Sequence, residues 1–513
     1  MIHTLLPDPP ASILVVGSGG GFYIRFLEQT GYKARLLDLL DMGDVPTAVY
    51  DSVLLLGNLK AHNSISEALE KARALLRPEG TLIVYDEVCY DSSSHKGKTG
   101  VHLYTGLISA LFENGFRIKS DEETVGNILQ TYNKLAGQSS EVFDPSNHAV
   151  GSERLSDRKD PKKDLYEKRQ TGWRILVAKK DRIFVRAYIK NDETVILPMF
   201  RKVFKADRTL EQWYWKFRDN PFGAHKIAEA FTEDGTLAAQ YSGYPVPFSS
   251  SVGGREEFVS LQIGDIMTAP EVRNIGLGTS SVLSRIATYF YNKFCIDHVP
   301  FMYGFVAGNH RKFGERFLGY QYMSQIPYHV LDLTSYRQAH TGRIKRFLSG
   351  LSIKRETQIT GEYDAFFDQV CRDYGLLVAR RSDYLKWRYT DCPDNVHRFY
   401  GVRRFGKLIG WGVFSIRGDV LIWGDALFNK RYLEAAGFML ERLVTRDYPE
   451  VSKVEGWFSP LPGWWGDLLR DIGFQAIDEP NGLVSGIRPF DSLFSIEFVK
   501  GNLYYTMGDS DLF

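Results

Sequence analysis

The sequence has little cysteine to work with. Its four cysteines, Cys89, Cys295, Cys371 and Cys392, are scattered over 513 residues with no CxxC and no metal-ligand spacing. That pattern excludes a disulfide scaffold and fits a reducing compartment, so a cytoplasmic protein is expected. An excess of one charge is also missing: 63 Lys and Arg face 62 Asp and Glu, a formal net charge of +1. With no basic stripe, neither nucleic acid nor an anionic membrane surface is an expected partner. No apolar run approaches the roughly 18 residues of a spanning helix. The opening "MIHTLLPDPPASILVV" has no basic n-region and no small-residue cleavage site, so no signal peptide is expected. A phosphate-binding GxxxxGK loop ending in Ser or Thr is absent as well.

What is present is an ordinary globular composition, 44% hydrophobic and 24% charged, in a chain long enough for several cores. Residues 13–17, "ILVVG", suit a buried parallel strand. "GSGGG" follows, then a helical pattern with Tyr23, Phe26 and Leu27 on one face. Strand-like "ARLLDLLD", "YDSVLLLGN" and "TLIVYDE" alternate with helical "SISEALEKARALL" and "GLISALFENGF". That order argues for a doubly wound parallel sheet. Asp38 stands twenty-one residues after Gly17, the reach of a ribose-binding carboxylate in a Rossmann-like unit. The polar stretch 138–171 reads as a long loop, either a lid or a solvated insertion.

Over residues 10–180 the pieces "VVGSGGG", "LRPEGTLIVYDE", "ENGFRI" and a closing "GWRILVAKK" resemble the class I S-adenosylmethionine-dependent methyltransferases. The resemblance implies that Gly17, Gly19 and Gly21 approach the cofactor, Asp38 the ribose and Asp44 the adenine. It also implies that 172–180 is the last, antiparallel strand. One departure is Val15, where the family usually has an acidic residue.

The remaining two thirds contain an internal duplication. "WKFRDNPFGAHK" and "WRYTDCPDNVHR" align Trp215 with Trp387, Asp219 with Asp391, Pro221 with Pro393 and His225 with His397, all at an offset of 172. The Trp and His pairs read as core anchors that recur with the fold. Each copy continues through a hairpin signal to a strand ending in Gly-Asp, "LQIGDIM" with Asp265 and "LIWGDAL" with Asp425. Beyond it the copies part. The first has "TAPEVRNIGLGTSSVLSRIATYFY"; the second has "FNKRYLEAAGFMLERLV" without the paired glycines. Gly276 and Gly278 are placed to let backbone N–H groups close on a phosphate at a helix start.

Strand, then RxxGxG, then helix, with a further strand and a late "LGY" or "IGF", resembles the GNAT superfamily of N-acetyltransferases, here as tandem lobes. The carrying residues are "VRNIGLG" (272–278), "YGFVAGNHRKFGERFLGYQ" (303–321) and "LLRDIGFQ" in the second copy. The resemblance implies acetyl-CoA as cofactor, its pyrophosphate gripped by Arg273, Asn274, Ile275, Gly276, Leu277, Gly278 and Thr279. It further implies that Ile266, Met267 and Thr268 pair with the pantetheine arm and that Asn309 contacts the cofactor. A carboxylate is needed to take the amine proton. Asp265 is the first candidate, although Asp425 at the same place in the other copy favours a fold-determined role. Glu271 and Glu257 follow, and Tyr303 is the candidate acid because Glu315 stands where the family often has tyrosine.

The expected architecture is α/β: a Rossmann-like doubly wound sheet over 1–180, a GNAT lobe with the cofactor loop over 181–345, and a degenerate, mixed-sheet GNAT-like lobe over 346–513. The expected function is acetyl-CoA-dependent N-acetylation of a small-molecule amine, such as an amino sugar or a natural-product precursor. S-adenosylmethionine is a possible second cofactor. Acyl transfer to a cell-wall or tRNA-linked substrate, or non-catalytic sensing of the two cofactors, are the open alternatives.

Overall fold

The protein is described by a computed structural model covering residues 5–17, 20–37, 46–57, 59, 64–90, 102–124, 171–252, 257–340, 350–394 and 396–513. Gly19, Asp38, Asp44 and the polar stretch up to 170 lie outside the described residues. Contacts gather the chain into two compact units. One holds residues 1–187, 228–240 and 268–293; the other holds 188–227, 241–267 and 294–513.

The first unit is built on strands β1 (Ser12–Val16), β2 (Lys33–Leu37), β3 (Tyr50–Leu56), β4 (Leu76–Cys89), β5 (His102–Leu103), β6 (Phe116–Glu123) and β7 (Thr171–Lys180). Their order is β2-β1-β3-β4-β7-β6, with β5 on the side of β4. β1 to β4 run parallel, and β7 lies antiparallel between β4 and β6, as the closing "GWRILVAKK" implied. The continuous apolar runs follow from burial on both faces: Ile13, Val15, Leu54, Ile83, Ile175 and Val177 share one core cluster. Gly17 ends β1 at φ +141°, and a Cβ there would lie 2.5 Å from the Leu56 carbonyl oxygen. No other residue fits that turn.

The same unit also contains β8 (Ile183–Ala187), the pairing part of β9 (Lys226–Thr232) and the helix Val282–Phe290. Buried Arg285 of that helix pairs with Asp181 at 3.1 Å. Tyr289 donates to Glu113 Oε1 at 2.6 Å, and its oxygen accepts the Ala187 N–H. These bonds tie the helix that follows the glycine pair to the edge of the N-terminal sheet.

The duplication is visible in the second unit. Its first copy uses β10 (Leu237–Ser250), β11 (Glu257–Thr268), β12 (Phe301–Val306), β13 (Gln321–Gln325) and β14 (Pro327–Asp332). The second uses β15 (Leu351–Glu356), β16 (Leu376–Val378), β17 (Arg398–Arg404), β18 (Lys407–Arg417), β19 (Val420–Phe428), β20 (Lys453–Trp457), β21 (Gln475–Asp478) and β22 (Val484–Pro489). A last strand, β23 (Leu503–Tyr504), pairs with β16. The copies exchange their final strands. β22 inserts between β12 and β13, and β14 inserts between β20 and β21. Each sheet is completed by the other copy, which makes one unit of both.

Short helices Leu210–Trp213 and Ser382–Leu385 widen into π turns at Tyr214–Arg218 and Lys386–Thr390. Widened turns of this kind re-aim side chains. Here they bring Trp215 and Trp387 face to face, 5.3 Å between ring centroids at 24°. Trp215 Nε1 donates to the Trp387 carbonyl at 2.7 Å, and Trp387 Nε1 donates to the Trp215 carbonyl at 3.0 Å. A reciprocal pair of this type marks a local two-fold between the copies.

Candidate functional site: a glycine-held loop and two Asp-centred charge clusters

The loop that follows β11 is built from tight turns. A short 3-10 turn covers Pro270–Val272, a second covers Gly278–Ser280, and Ser281 caps the helix Val282–Phe290 by accepting the Ser284 N–H at 3.2 Å. Gly276 (φ +72°) and Gly278 (φ +56°) are both left-handed. A Cβ on Gly276 would stand 2.2 Å from the Ser280 carbonyl oxygen, so the loop closes only over glycine. The Arg273 guanidinium folds back, its Nε donating to the Thr268 carbonyl at 3.2 Å, and staples the loop at its base. Among the described residues, the N–H groups of Gly276, Leu277, Gly278 and Thr279 donate to no backbone or side-chain acceptor. Leu277 is 84% exposed. These four amides lie in the turn just before the helix Val282–Phe290.

The strand leading to the loop is bent. β11 and its parallel neighbour β12 pair only at Leu261–Met302 and Gln262–Tyr303, then part. Asp265, three residues on, is left-handed at φ +54°, a strained position for a residue with a side chain. In the second copy β19 and β20 pair from Val420–Lys453 to Ile422–Glu455 and then part in the same way. Asp425 has no such kink among the described residues.

Both aspartates centre charge clusters. Asp265 is buried between Arg208 and Lys216, the latter 3.2 Å away, and Lys216 also contacts Asp511 at 3.2 Å. Burial draws the Lys216 ammonium down to about 8, opposed by the Asp511 charge. Asp425 is fully buried with Arg380 at 3.0 Å, Tyr389 Oη at 2.6 Å and Thr506 Oγ1 at 2.9 Å. Arg380 also holds Asp509 at 2.7 Å. Burial raises Asp509 from 3.8 to about 6, with the Arg380 charge pulling the other way. Arg208 and Arg380, and Lys216 and Arg388, stand at the same 172-residue offset as the tryptophans. That register was the signal available in the sequence, and these cations carried no motif to draw attention to it.

The opening between β19 and β20 is filled by the chain itself. Thr506 forms an antiparallel bridge to Phe458, the Ser459 N–H donates to the Tyr505 carbonyl at 2.8 Å, and Tyr504 Oη donates to the Ala426 carbonyl at 2.8 Å. The Phe513 ring covers Gly424, where a Cβ would be 2.0 Å from it. The copy without the glycine loop therefore has its cleft plugged by residues 504–513.

The expected site residues fall into distinct settings. Ile266 and Thr268 are half-buried at the end of β11 and Met267 is buried. Asn274, Thr279 and Glu271 are exposed on the loop, and Ile275 is 36% exposed. Asn309 lies in the first turn of the helix Gly308–Phe317. Gly21 is the second residue of the helix Gly20–Gln29. Glu257 begins β11 and pairs with Arg381 at 2.6 Å. Tyr303 is 2% exposed, packs edge-on against Phe248 and donates to Gln262 Oε1 at 3.1 Å. Its burial holds the phenol well above the usual tyrosine range. Trp387 is buried, and His397 packs 5.2 Å from Tyr389. Among the described residues no group of three or more His, Cys, Asp or Glu could hold a metal, and no helix is long and apolar enough to cross a membrane.

No family model and no curated protein matches the chain. Among solved structures it is similar to a conserved protein of Enterococcus faecalis described as a probable N-acyltransferase, at 15% identity over 60% of this chain and 73% of that one, TM-score 0.47. A GCN5-related N-acetyltransferase from Kribbella flavida matches at 15% identity over 60% of this chain and 71% of that one, TM-score 0.44. A tandem GNAT protein from the clavulanic acid biosynthesis pathway matches at 14% identity over 60% of this chain and 98% of that one, TM-score 0.39. Likeness at this level carries no argument about activity.

Proposed function

We propose that the chain is an acyl-CoA-dependent N-acyltransferase with one working cofactor loop, at residues 266–281, and a small-molecule amine as acceptor. The observation that carries this reading is the row of undonated amides from Gly276 to Thr279, opened by two left-handed glycines ahead of a helix start. A pyrophosphate needs several N–H donors and no lysine when the bond that breaks is remote from it. Arg273 holds the loop shut at Thr268, and Ile266, Met267 and Thr268 offer strand backbone to an extended pantetheine arm. Asn274, Ile275 and Leu277 stand on the same exposed loop.

Acetyl-CoA, when bound, supplies the activated acyl group. The acceptor amine must lose a proton to react. Both oxygens of the Asp265 carboxylate are taken up by ion pairs, with Arg208 and with Lys216. We assign it to positioning, through the kink it makes in β11, and take exposed Glu271 as the candidate base. Tyr303, sealed in the aromatic core, is assigned to packing. In the N-terminal sheet, Gly17 at the carboxyl end of β1 is where S-adenosylmethionine would approach, with Gly19, Gly21, Asp38 and Asp44 implied by resemblance.

The test is release of free thiol from acetyl-CoA against a panel of amines, alongside calorimetric titration of acetyl-CoA and S-adenosylmethionine. Turnover with a small amine is expected, with one acyl-CoA per chain. Binding without turnover would make the chain a sensor, and no binding would end the reading.

A further inference from the structure

Tyr505 carries a hydroxyl that the described residues leave unused. The chain runs extended out of β23, so Tyr504 and Tyr505 point opposite ways. Tyr504 Oη donates to the Ala426 carbonyl at 2.8 Å. Tyr505, 4% exposed, lays its ring beside Phe305 and Trp457, at centroid distances of 5.7 and 6.4 Å. Its Oη makes no hydrogen bond to a described residue and is not sealed from solvent. A tyrosine this buried normally pairs its hydroxyl within the protein; here the hydroxyl is left to a cavity. Burial alone moves the phenol well above the usual tyrosine range, so it keeps its proton and can donate.

That cavity, of about 380 Å³, is lined by Met323, Ser324, Pro460, Lys500, Leu503 and Tyr505, all in the second unit. Met323, Leu503 and Tyr505 are buried and form its floor, whereas Ser324, Pro460 and Lys500 are exposed at its rim. Lys500, in the last turn of the helix Ile496–Asn502, enters no ion pair among the described residues. No carboxylate lines the space, so the ammonium is its sole charge. The three polar side chains, two hydroxyls and an ammonium, can all donate, and the ammonium cannot accept. Such a wall selects a ligand that is negative at the rim and accepts a hydrogen bond at the floor.

We propose that this cavity binds a short-chain oxo acid, its carboxylate on Lys500 and Ser324, its methylenes over Met323 and Leu503, and its carbonyl oxygen on the Tyr505 hydroxyl. A single ammonium suits a monoanion, and a carbonyl, which only accepts, matches a phenol that donates. The volume falls within the roughly 300–1,000 Å³ of small-molecule sites, and apolar walls with few polar groups are their usual lining. The proposal does not rest on the acyl-transfer reading, because no residue of 266–281 lines the cavity.

The probe is 6-oxoheptanoate, titrated calorimetrically into the full chain, with heptanoate and 6-oxoheptanamide as comparisons. Saturable 1:1 binding of 6-oxoheptanoate is expected. It should be roughly fivefold tighter, the worth of one hydrogen bond, than heptanoate, which lacks the oxygen, and tighter than the amide, which lacks the charge. Tyr505→Phe removes one oxygen from a ring that its neighbours hold in place. It should weaken the oxo acid by that same roughly fivefold and leave heptanoate unchanged. Lys500→Gln, on an exposed helix turn, should weaken both acids and spare the amide. No saturable binding by wild type, equal affinity for the three compounds, or wild-type affinity for the oxo acid in either variant would each overturn the proposal. Acetyl-CoA should bind both variants as it binds wild type. A wild type that takes 6-oxoheptanoate and not acetyl-CoA would end the loop reading and leave this one standing.

Discussion

Replacing Gly276 with alanine puts one methyl group where the loop has no room. The added Cβ meets the Ser280 carbonyl oxygen at 2.2 Å and its carbon at 2.7 Å, both backbone atoms that cannot rotate away. The left-handed φ of +72° alone costs a residue with Cβ roughly 1–2 kcal/mol. Relief of the clash requires the 276–280 segment to open, which turns some of its amides from a common anion. Loss of two charge-assisted hydrogen bonds, at about 1.5–3 kcal/mol each, weakens a bound pyrophosphate by about 3–6 kcal/mol, or about 10²–10⁴ in Kd. The loop is exposed, so the melting temperature should fall by no more than about 2–8 °C for that strain. Calorimetry with acetyl-CoA on folded Gly276→Ala protein reads both quantities. Wild-type affinity in a variant with an unchanged melting curve would refute the reasoning, because it would mean that the loop's shape does not matter to the ligand.

Two further outcomes follow from the second unit. Trp387→Ala removes one ring of the stacked pair and the donor to the Trp215 carbonyl, and should cost about 3–5 kcal/mol in chemical denaturation; a loss below 1 kcal/mol would contradict a structural role for the pair. His329 sits on β14, buried, its Nδ1 without a partner, and burial lowers its imidazole from 6.5 to about 4. The unfolded chain then binds the proton more readily than the native one, so the stability that His329 contributes is present above pH 6.5 and lost as pH falls through about 4. The integrated loss is on the order of 3 kcal/mol, and His329→Gln should flatten that part of the stability-against-pH curve; an unchanged acid limb would count against it.

Much of the fold was legible because it rests on periodicity. The apolar runs at β1, β3 and β4 suit buried parallel strands, their alternation with helical segments carried that reading, and the 172-residue register of Trp215 with Trp387 announced a duplicated lobe. The exchange of β14 and β22 was not legible. "PYHVLD" and "VSGIRP" each read as a strand, but the choice of partner is tertiary and leaves no local mark. At the site, the glycines of "NIGLG" declared their conformation, since left-handed backbone beside a closed turn admits little else. Asp265 did not: its kink and its pairing depend on Arg208 and Lys216, nearly fifty residues and more before it in sequence. The plug formed by residues 504–513 was equally hidden, because "TMGDSDLF" has no pattern until Arg380 and Arg388 are seen to hold it.

The central claim, that one loop of the duplicated pair grips an acyl-CoA, is tested most directly by amide hydrogen exchange on the full chain with and without acetyl-CoA. The account predicts slowed exchange at Gly276–Thr279, with the corresponding turn after β19, around Asn429–Leu433, unchanged. Protection at the second turn, or none at Gly276–Thr279 under saturating acetyl-CoA, would contradict it.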